Sequence, residues 1–293
     1  RLTKVTGVQT CALPISVGFP ARDAGRGWMC PPGGPRHPGP AIPVWLARFR
    51  RLPMGTGRVW LLPIEAEGSG MTRNFVHLHN HTDFSMLDGA ARVDDLVRAA
   101  KEQGMPAVAI TDHGNMFGAY EFYKAAKRHG IKPIIGLETY LTPGTPRWER
   151  KRIQFGDGTG DDVAARGAYT HMTIWSRNPQ GMHNLFKLSS RSSLEGYFYK
   201  PRADRELLNE YHEGLMATTG CPSGEVQTYL RLGMYDQALA SAAEFQSIFG
   251  KENFYVELMD HGLAIETRVR KDLLRLAKAI DAPLVATNDL HYV

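Results

Sequence analysis

The sequence predicts an α/β fold made of seven βα-like units in a row, with mostly parallel strands joined by right-handed crossovers. Three observations carry this reading. From Phe75 onward, short apolar runs alternate with amphipathic helical patterns. Glycines at 104, 130 and 250 stop helices where the left-handed cap conformation is open to them. Histidine, carboxylate and thiol side chains recur where a strand ends and its loop begins. An open doubly wound sheet and a closed barrel both satisfy the alternation. The third observation selects the barrel, whose strand ends converge on one face; the outer strands of an open sheet would hold theirs too far apart.

The strand segments are 75–79, 107–111, 133–140, 169–175, 214–219, 254–259 and 283–287, and the helical segments are 93–103, 117–129, 182–190, 224–232, 235–249 and 264–280. On the first strand, His77, His79 and His81 share one face and Val76, Leu78 and Asn80 the other. Three imidazoles in a line are costly to bury without partners, and a metal satisfies several at once. Asp88 follows in the next loop, before Gly89. The second strand leads into Thr111-Asp112-His113-Gly114, and the third contains Glu138. His171 opens the fourth unit, Cys221 follows the fifth strand, and Asp289 with His291 follow the seventh.

Singly, each has an ordinary use: Asp88 as a turn residue, Asp112 as a helix cap, His171 as a core histidine, Cys221 as an inert buried thiol. One at nearly every strand end, they form a set. A structural zinc takes four ligands, and nine candidates suit two or three divalent ions. Such ions lower the pKa of water toward neutrality, bind phosphate oxygens and stabilise a leaving alkoxide, which points to phosphate-ester hydrolysis. Tyr197-Phe198-Tyr199-Lys200-Pro201-Arg202 interleaves aromatics with two cations, a pattern that stacks bases and holds single-strand phosphates. Lys200 and Arg202 are therefore expected on the nucleic-acid backbone. Pro222-Ser223-Gly224 opens a helix whose free N–H groups are a candidate phosphate cradle.

Charge and composition divide the 293 residues unevenly. Residues 1–70 hold nine Lys/Arg against three Asp/Glu, ten of the 18 prolines and two of the three cysteines. The remainder balances 26 basic against 27 acidic residues, so the net charge of +5 is no argument for a nucleic-acid partner. Stretches such as 30–40 have no hydrophobic period and cannot repay the entropy of ordering. Residues 1–70 are expected to be a disordered or artefactual extension. Within it, 1–16 read like a translated sequencing adapter and 17–70 like a spurious upstream frame, with Met71 as the natural start. No run of 18 apolar residues offers a membrane span. With Cys221 the single cysteine of 71–293 there is no disulfide framework, which suits the cytoplasm.

His79-Asn80-His81, Ser85-Met86-Leu87-Asp88-Gly89, Thr111-Asp112-His113-Gly114-Asn115-Met116, Gly136-Leu137-Glu138, Gly220-Cys221-Pro222-Ser223-Gly224-Glu225 and Thr287-Asn288-Asp289-Leu290-His291 resemble the polymerase and histidinol phosphatase (PHP) domain. More narrowly, they resemble the amino-terminal PHP domain of the bacterial DNA polymerase III alpha-subunit family, from about residue 75 to 293. The resemblance implies a distorted (β/α)7 TIM-like barrel over 71–293. It also implies a centre of three divalent ions, zinc with manganese or iron as alternatives, on His79, His81, Asp88, His113, Glu138, His171, Cys221, Asp289 and His291. Asp88, His113 and Asp289 are the catalytic residues on this reading, and His77 supports the ligands from behind. The implied activity is 3′→5′ exonuclease proofreading of single-stranded or primer 3′ ends in DNA replication, with the remaining polymerase domains and replisome subunits as partners. On the same resemblance the chain is a fragment that stops before the polymerase regions and performs no nucleotidyl transfer itself. Two other readings compete: a metal-braced structural or docking module, and a stand-alone PHP phosphatase.

Overall fold

A computed structural model describes residues 75–156 and 164–293; the expectation for 1–70 lies outside the described residues. The strands are β1 (Ala107–Ile110), β2 (Lys132–Leu141), β3 (Thr170–Ser176), β4 (Arg202–Ala203), β5 (Leu215–Thr218), β6 (Phe254–Leu258) and β7 (Leu284–Ala286). The helices are α1 (Val93–Glu102), α2 (Ala119–His129), α3 (Pro179–Glu195), α4 (Arg205–Tyr211), α5 (Glu225–Arg231), α6 (Tyr235–Phe249) and α7 (Ala264–Ala279). Six of the seven expected strand segments are strands, and all six expected helices form. β4 and α4 are additions.

Local chemistry explains the elements. Val93, Leu96, Val97 and Ala100 line one buried stripe of α1, which packs with Phe122 and Ala126 of α2 on Val108 and Ile110 of β1. Gly130 ends α2 at φ 67°, ψ 32°, the left-handed cap that a glycine adopts without strain. Asn178 caps α3 by accepting from the Gly181 N–H, and Pro179 fits the first turn. Asp204 caps α4 by accepting from the Leu207 N–H.

The strand order is β1-β2-β3-β5-β6-β7, with β4 on β2. β1 and β2, β5 and β6, and β6 and β7 are parallel, but β3 is antiparallel to both its neighbours. This corrects the expectation of mostly parallel crossovers at one strand. The cause is local: the described residues between β2 and β3 contain only the 3-10 turn Ala164–Gly167, and without a crossover helix the chain returns from the end at which it left.

The ring is closed by 77–82, which is not a regular strand. On one side His77 O accepts from Ala109 N–H (3.0 Å) and Asn80 O from Thr111 N–H (2.9 Å). On the other, His81 N–H donates to Leu290 O (2.7 Å) and Leu290 N–H to His79 O (3.1 Å). The result is the distorted barrel expected from the sequence. Leu78, Ala109, Ile134, Trp175, Met216, Tyr255 and Val285 pack together inside it, one from each member of the ring. Trp175 Nε1–H donates to Leu78 O at 2.8 Å. Burying each large side chain of this floor contributes about 1.5–3 kcal/mol.

Two residues along from the floor, the interior becomes polar: Thr111, Thr218, Glu257 and Thr287 lie above it, and on the reversed β3 the step runs backward to Thr173. Outside the sheet, Leu137, Ile174, Leu188, Phe245, Phe254 and Leu276 belong to the main core under the helices. Among the described residues no helix is long and apolar enough to cross a membrane.

Candidate metal centre

Above the polar layer, the barrel mouth gathers all nine side chains singled out in the sequence. Glu138, near the end of β2, is the hub. Its Oε1 lies 3.3 Å from His79 Nε2, 3.1 Å from His171 Nδ1 and 3.4 Å from Cys221 Sγ. Its Oε2 lies 3.6 Å from His81 Nε2 and contacts His113 Nδ1. Asp289 Oδ1 is 3.3 Å from His79 Nε2, 3.1 Å from His81 Nε2 and 3.7 Å from His291 Nδ1. Asp88 Oδ2 stands at the rim, 3.4 Å from His113 Nε2 and 4.0 Å from His291 Nε2. The reversal of β3 matters here, because it brings the start of that strand, and so His171, to the face where the other strands end.

Backbone devices hold the ligand loops. Asp289 sits at φ 44°, a left-handed conformation that aspartate tolerates as a single residue. Gly89 follows Asp88 because a Cβ there would meet Thr82 O at 1.9 Å.

Burial makes the cluster costly without a cation. His79 and His81 are fully buried and Glu138 nearly so. His79 Nε2, His81 Nε2, His113 Nδ1, Glu138 Oε2 and Asp289 Oδ1 face one another without a well-aligned hydrogen bond. Burial alone would lower the His79 pKa, but the carboxylates of Asp289, Glu257 and Glu138 outweigh it and hold the ring well above its ordinary range. Burial likewise opposes a charge on His113, and Glu138 with Asp88 outweigh it, raising the group to about 10. Glu138 is held well below the usual carboxylate range: burial would raise it, and His171 and His113 prevail. Asp289 falls to about 2 because His79 and His81 overcome its burial. For Cys221, burial first and then Glu138 and Asp289 push the thiol up. Proton or metal, positive charge belongs in this space. Five imidazoles, three carboxylates and a thiol form a donor set suited to zinc and related ions.

Two supports escaped the sequence reading. Glu257 of β6, fully buried, takes the proton side of His79: its Oε1 is 2.8 Å from His79 Nδ1 and accepts from the Thr287 hydroxyl at 2.5 Å, while Oε2 accepts from the Thr218 hydroxyl. A carboxylate inside the apolar run 254–258 was the available signal. Asp112 is no helix cap. It accepts from Thr82 N–H (2.6 Å) and from the Ser85 hydroxyl (2.8 Å), and Ser85 Oγ lies 2.9 Å from His81 Nδ1.

Three expectations change. His77 does not back the ligands: its ring makes an edge contact with Phe75 at 4.9 Å, and its Nδ1 has no hydrogen-bond partner among the described residues. Regular alternation fails because 75–79 is not a ladder strand. Arg202 does not reach a nucleic acid. It is 0% exposed and its guanidinium donates to the carbonyls of Gly196 (3.0 Å), Ala168 (3.2 Å), Arg147 (2.9 Å) and Glu149 (2.9 Å). The turn 222–224 is no phosphate cradle either: α5 has seven residues, Gly224 N–H is taken by Cys221 O, and Ser223 O accepts from His171 N–H. Lys200 does stand beside the centre. Its Nζ is 5.5 Å from the Tyr140 ring centroid, and that ring stacks on His113 at 5.9 Å.

A (β/α) barrel with a multi-ligand centre at its strand ends is the class this geometry defines. The chain belongs to the PHP domain family, whose match spans residues 77–261. It is 58% identical over 228 residues to the DNA polymerase III subunit alpha of Saccharopolyspora erythraea, covering 75% of this chain and 19% of that protein. Over 229 residues it is 54% identical to the corresponding subunit of Mycobacterium tuberculosis H37Rv, covering 77% and 19%. The chain thus spans about a fifth of the length of these curated relatives. Among solved structures it is similar to an amidohydrolase from Chromobacterium violaceum, with TM-score 0.47, 15% identity, and coverage of 74% of this chain and 87% of that one.

Proposed function

We propose that this chain is the metal-dependent phosphodiesterase domain of a replicative DNA polymerase alpha subunit, removing nucleotides 3′→5′ from single-stranded or primer 3′ ends during proofreading in the cytoplasm. The observation that carries the proposal is the convergence of nine ligand-type side chains around five buried atoms that lack aligned hydrogen bonds. His79, His81, Asp88, His113, Glu138, His171, Cys221, Asp289 and His291 would hold up to three divalent ions, zinc in the first instance and manganese or iron as substitutes. When bound, such ions supply an activated water and stabilise the developing charge on phosphate and leaving group.

The chain's own residues do the rest. Asp289 joins His79, His81 and His291 through one carboxylate oxygen and fixes their spacing. His113 bridges the buried Glu138 and the rim carboxylate Asp88, the most exposed of the candidate ligands and the first the scissile phosphate would meet. Lys200, with no carboxylate partner among the described residues, lies where it can hold a neighbouring phosphate of the strand. Remaining polymerase domains and replisome subunits are the expected partners.

The test is hydrolysis of a mismatched 3′ end with metals verified by elemental analysis. Asp88→Asn and Asp289→Asn keep volume and an oxygen but lose charge, so activity should fall by about two orders of magnitude with circular dichroism unchanged. Asparagine also tolerates the left-handed conformation at 289. Equal hydrolysis by wild type and both variants would leave the centre a structural brace.

A further inference from the structure

Metal positions in this centre are not equivalent in their support, and the difference follows from where the protons must be. Ser85 has one hydroxyl proton and three polar neighbours: Asp112 Oδ1 at 2.8 Å, His113 N–H at 3.1 Å and His81 Nδ1 at 2.9 Å. The carboxylate of Asp112 already accepts from Thr82 N–H and Thr82 Oγ1, so it takes the Ser85 proton as an acceptor. His113 N–H can only donate. His81 Nδ1 must therefore donate to Ser85, which leaves the lone pair of His81 on Nε2.

The same inventory holds at His79. The Thr218 hydroxyl accepts from Gly220 N–H at 3.0 Å and gives its own proton to Glu257. Thr287 gives its proton to the other Glu257 oxygen, the one that faces His79 Nδ1. Nδ1 lies 2.8 Å from that carboxylate oxygen, which can only accept, and 3.2 Å from the Thr173 hydroxyl, which can turn to accept as well. Nδ1 therefore carries the proton, and the lone pair of His79 is also on Nε2. Both lone pairs then point at Asp289 Oδ1, from 3.3 and 3.1 Å.

The outer ligands are held less firmly. Both nitrogens of His113 face carboxylates, so neither is singled out for the proton. His291 Nδ1 donates to the Asp289 backbone oxygen at 2.9 Å, but within its own partly exposed loop, and Asp88 is 52% exposed on its side chain. Ligands that start mobile lose more freedom on binding.

We infer that the position between His79, His81 and Asp289 is the high-affinity one and fills first, with Glu257 and the Ser85–Asp112 pair as its positioning residues. This rests on reading the centre as a metal site. Partners of this kind are worth about 10–100-fold in metal affinity, so the first ion should bind by about that factor more tightly than the next.

The experiment is a zinc titration of the metal-free full chain, followed by calorimetry and by ring-nitrogen NMR of histidine-labelled protein. One tight equivalent should move the His79 and His81 signals before those of His113, His171 and His291. Glu257→Ala and Ser85→Ala should each weaken that first step by about 10–100-fold. Glu257→Gln, which keeps an acceptor oxygen, should retain more of it than the alanine variant. Asp88→Asn should spare the first step and weaken only later ones. If Glu257→Ala fails to fold, Ser85→Ala decides alone. Simultaneous filling of all positions, earlier shifts at the outer histidines, or an unaltered first step in Ser85→Ala would overturn the inference while leaving the metal site standing. Wild-type protein that binds no zinc would remove the underlying reading as well.

Discussion

Replacing Arg202 by alanine tests whether its guanidinium is a brace or a nucleic-acid contact. Four carbonyl oxygens, those of Arg147, Glu149, Ala168 and Gly196, take their bonds from this one group. Each stranded acceptor costs about 1 kcal/mol at the lower end of the usual range, so four cost about 4 kcal/mol. The guanidinium also lies over the Phe198 ring at 5.0 Å, and a methyl group cannot reproduce that cation–π attraction. Against this, the wild type bears the desolvation of a cation that has no carboxylate beside it among the described residues, and burial lowers its pKa. The expected net loss is about 3–5 kcal/mol, read in urea unfolding as a lower midpoint at unchanged slope. In a thermal scan it amounts to about 10 °C. Arg202→Lys should recover only part, because three ammonium donors cannot replace a planar fork. Below the transition, salt dependence of single-strand binding should match wild type. A stability loss under about 1 kcal/mol together with a flatter salt dependence would refute the reasoning and return Arg202 to the phosphate backbone.

Lys200→Ala should weaken single-strand binding and reduce its log–log salt slope by about 0.7; anisotropy with an unchanged slope would count against a phosphate contact. His261 carries a raised pKa, caused first by its bond to Glu266 (Nδ1 to Oε1, 2.5 Å) and aided by Asn288 O. Because the folded value lies above the unfolded one, near 6.5, its contribution is complete below that pH and fades as pH rises through the folded value. Solvent screening at this partly exposed site keeps it under about 1 kcal/mol. His261→Asn should thus destabilise at pH 6 more than at pH 9, and equal losses at both would contradict the pairing. Chelation of bound metal should lower the unfolding midpoint, since an ion at a thousand times its Kd stabilises by about 4 kcal/mol; identical midpoints with and without chelator would argue that nothing is bound.

The ligand-type residues were legible because each lies at a strand end, where alternation and the start of a polar loop mark it in one dimension. Direction was harder. A period of two is the same for a parallel and an antiparallel strand, so β3 read as one more parallel unit; the sequence between 140 and 169, which offers no helical pattern, held the clue. Arg202 went astray because Tyr197–Phe198–Tyr199 beside it suggests a solvent loop, while the carbonyls that claim it come largely from 147–149 and 168, remote in sequence. Glu257 and Asp112 act on histidines whose positions only the closed ring brings near. β4 has two residues, too short for any periodic signal.

The seam of the barrel has a consequence in time. Residues 79–81 and 289–291 hold the last gap in the ring by hydrogen bonds between Leu290 and its neighbours His79 and His81, across a sequence separation of roughly two hundred residues. Contacts of such long range cost the most loop entropy and form late in folding. His79, His81, Asp289 and His291 sit on the two lips of that seam, so ring closure and ligand assembly are one event. An ion held across it fastens the last-formed contacts, which should slow the opening of the barrel far more than it speeds closing.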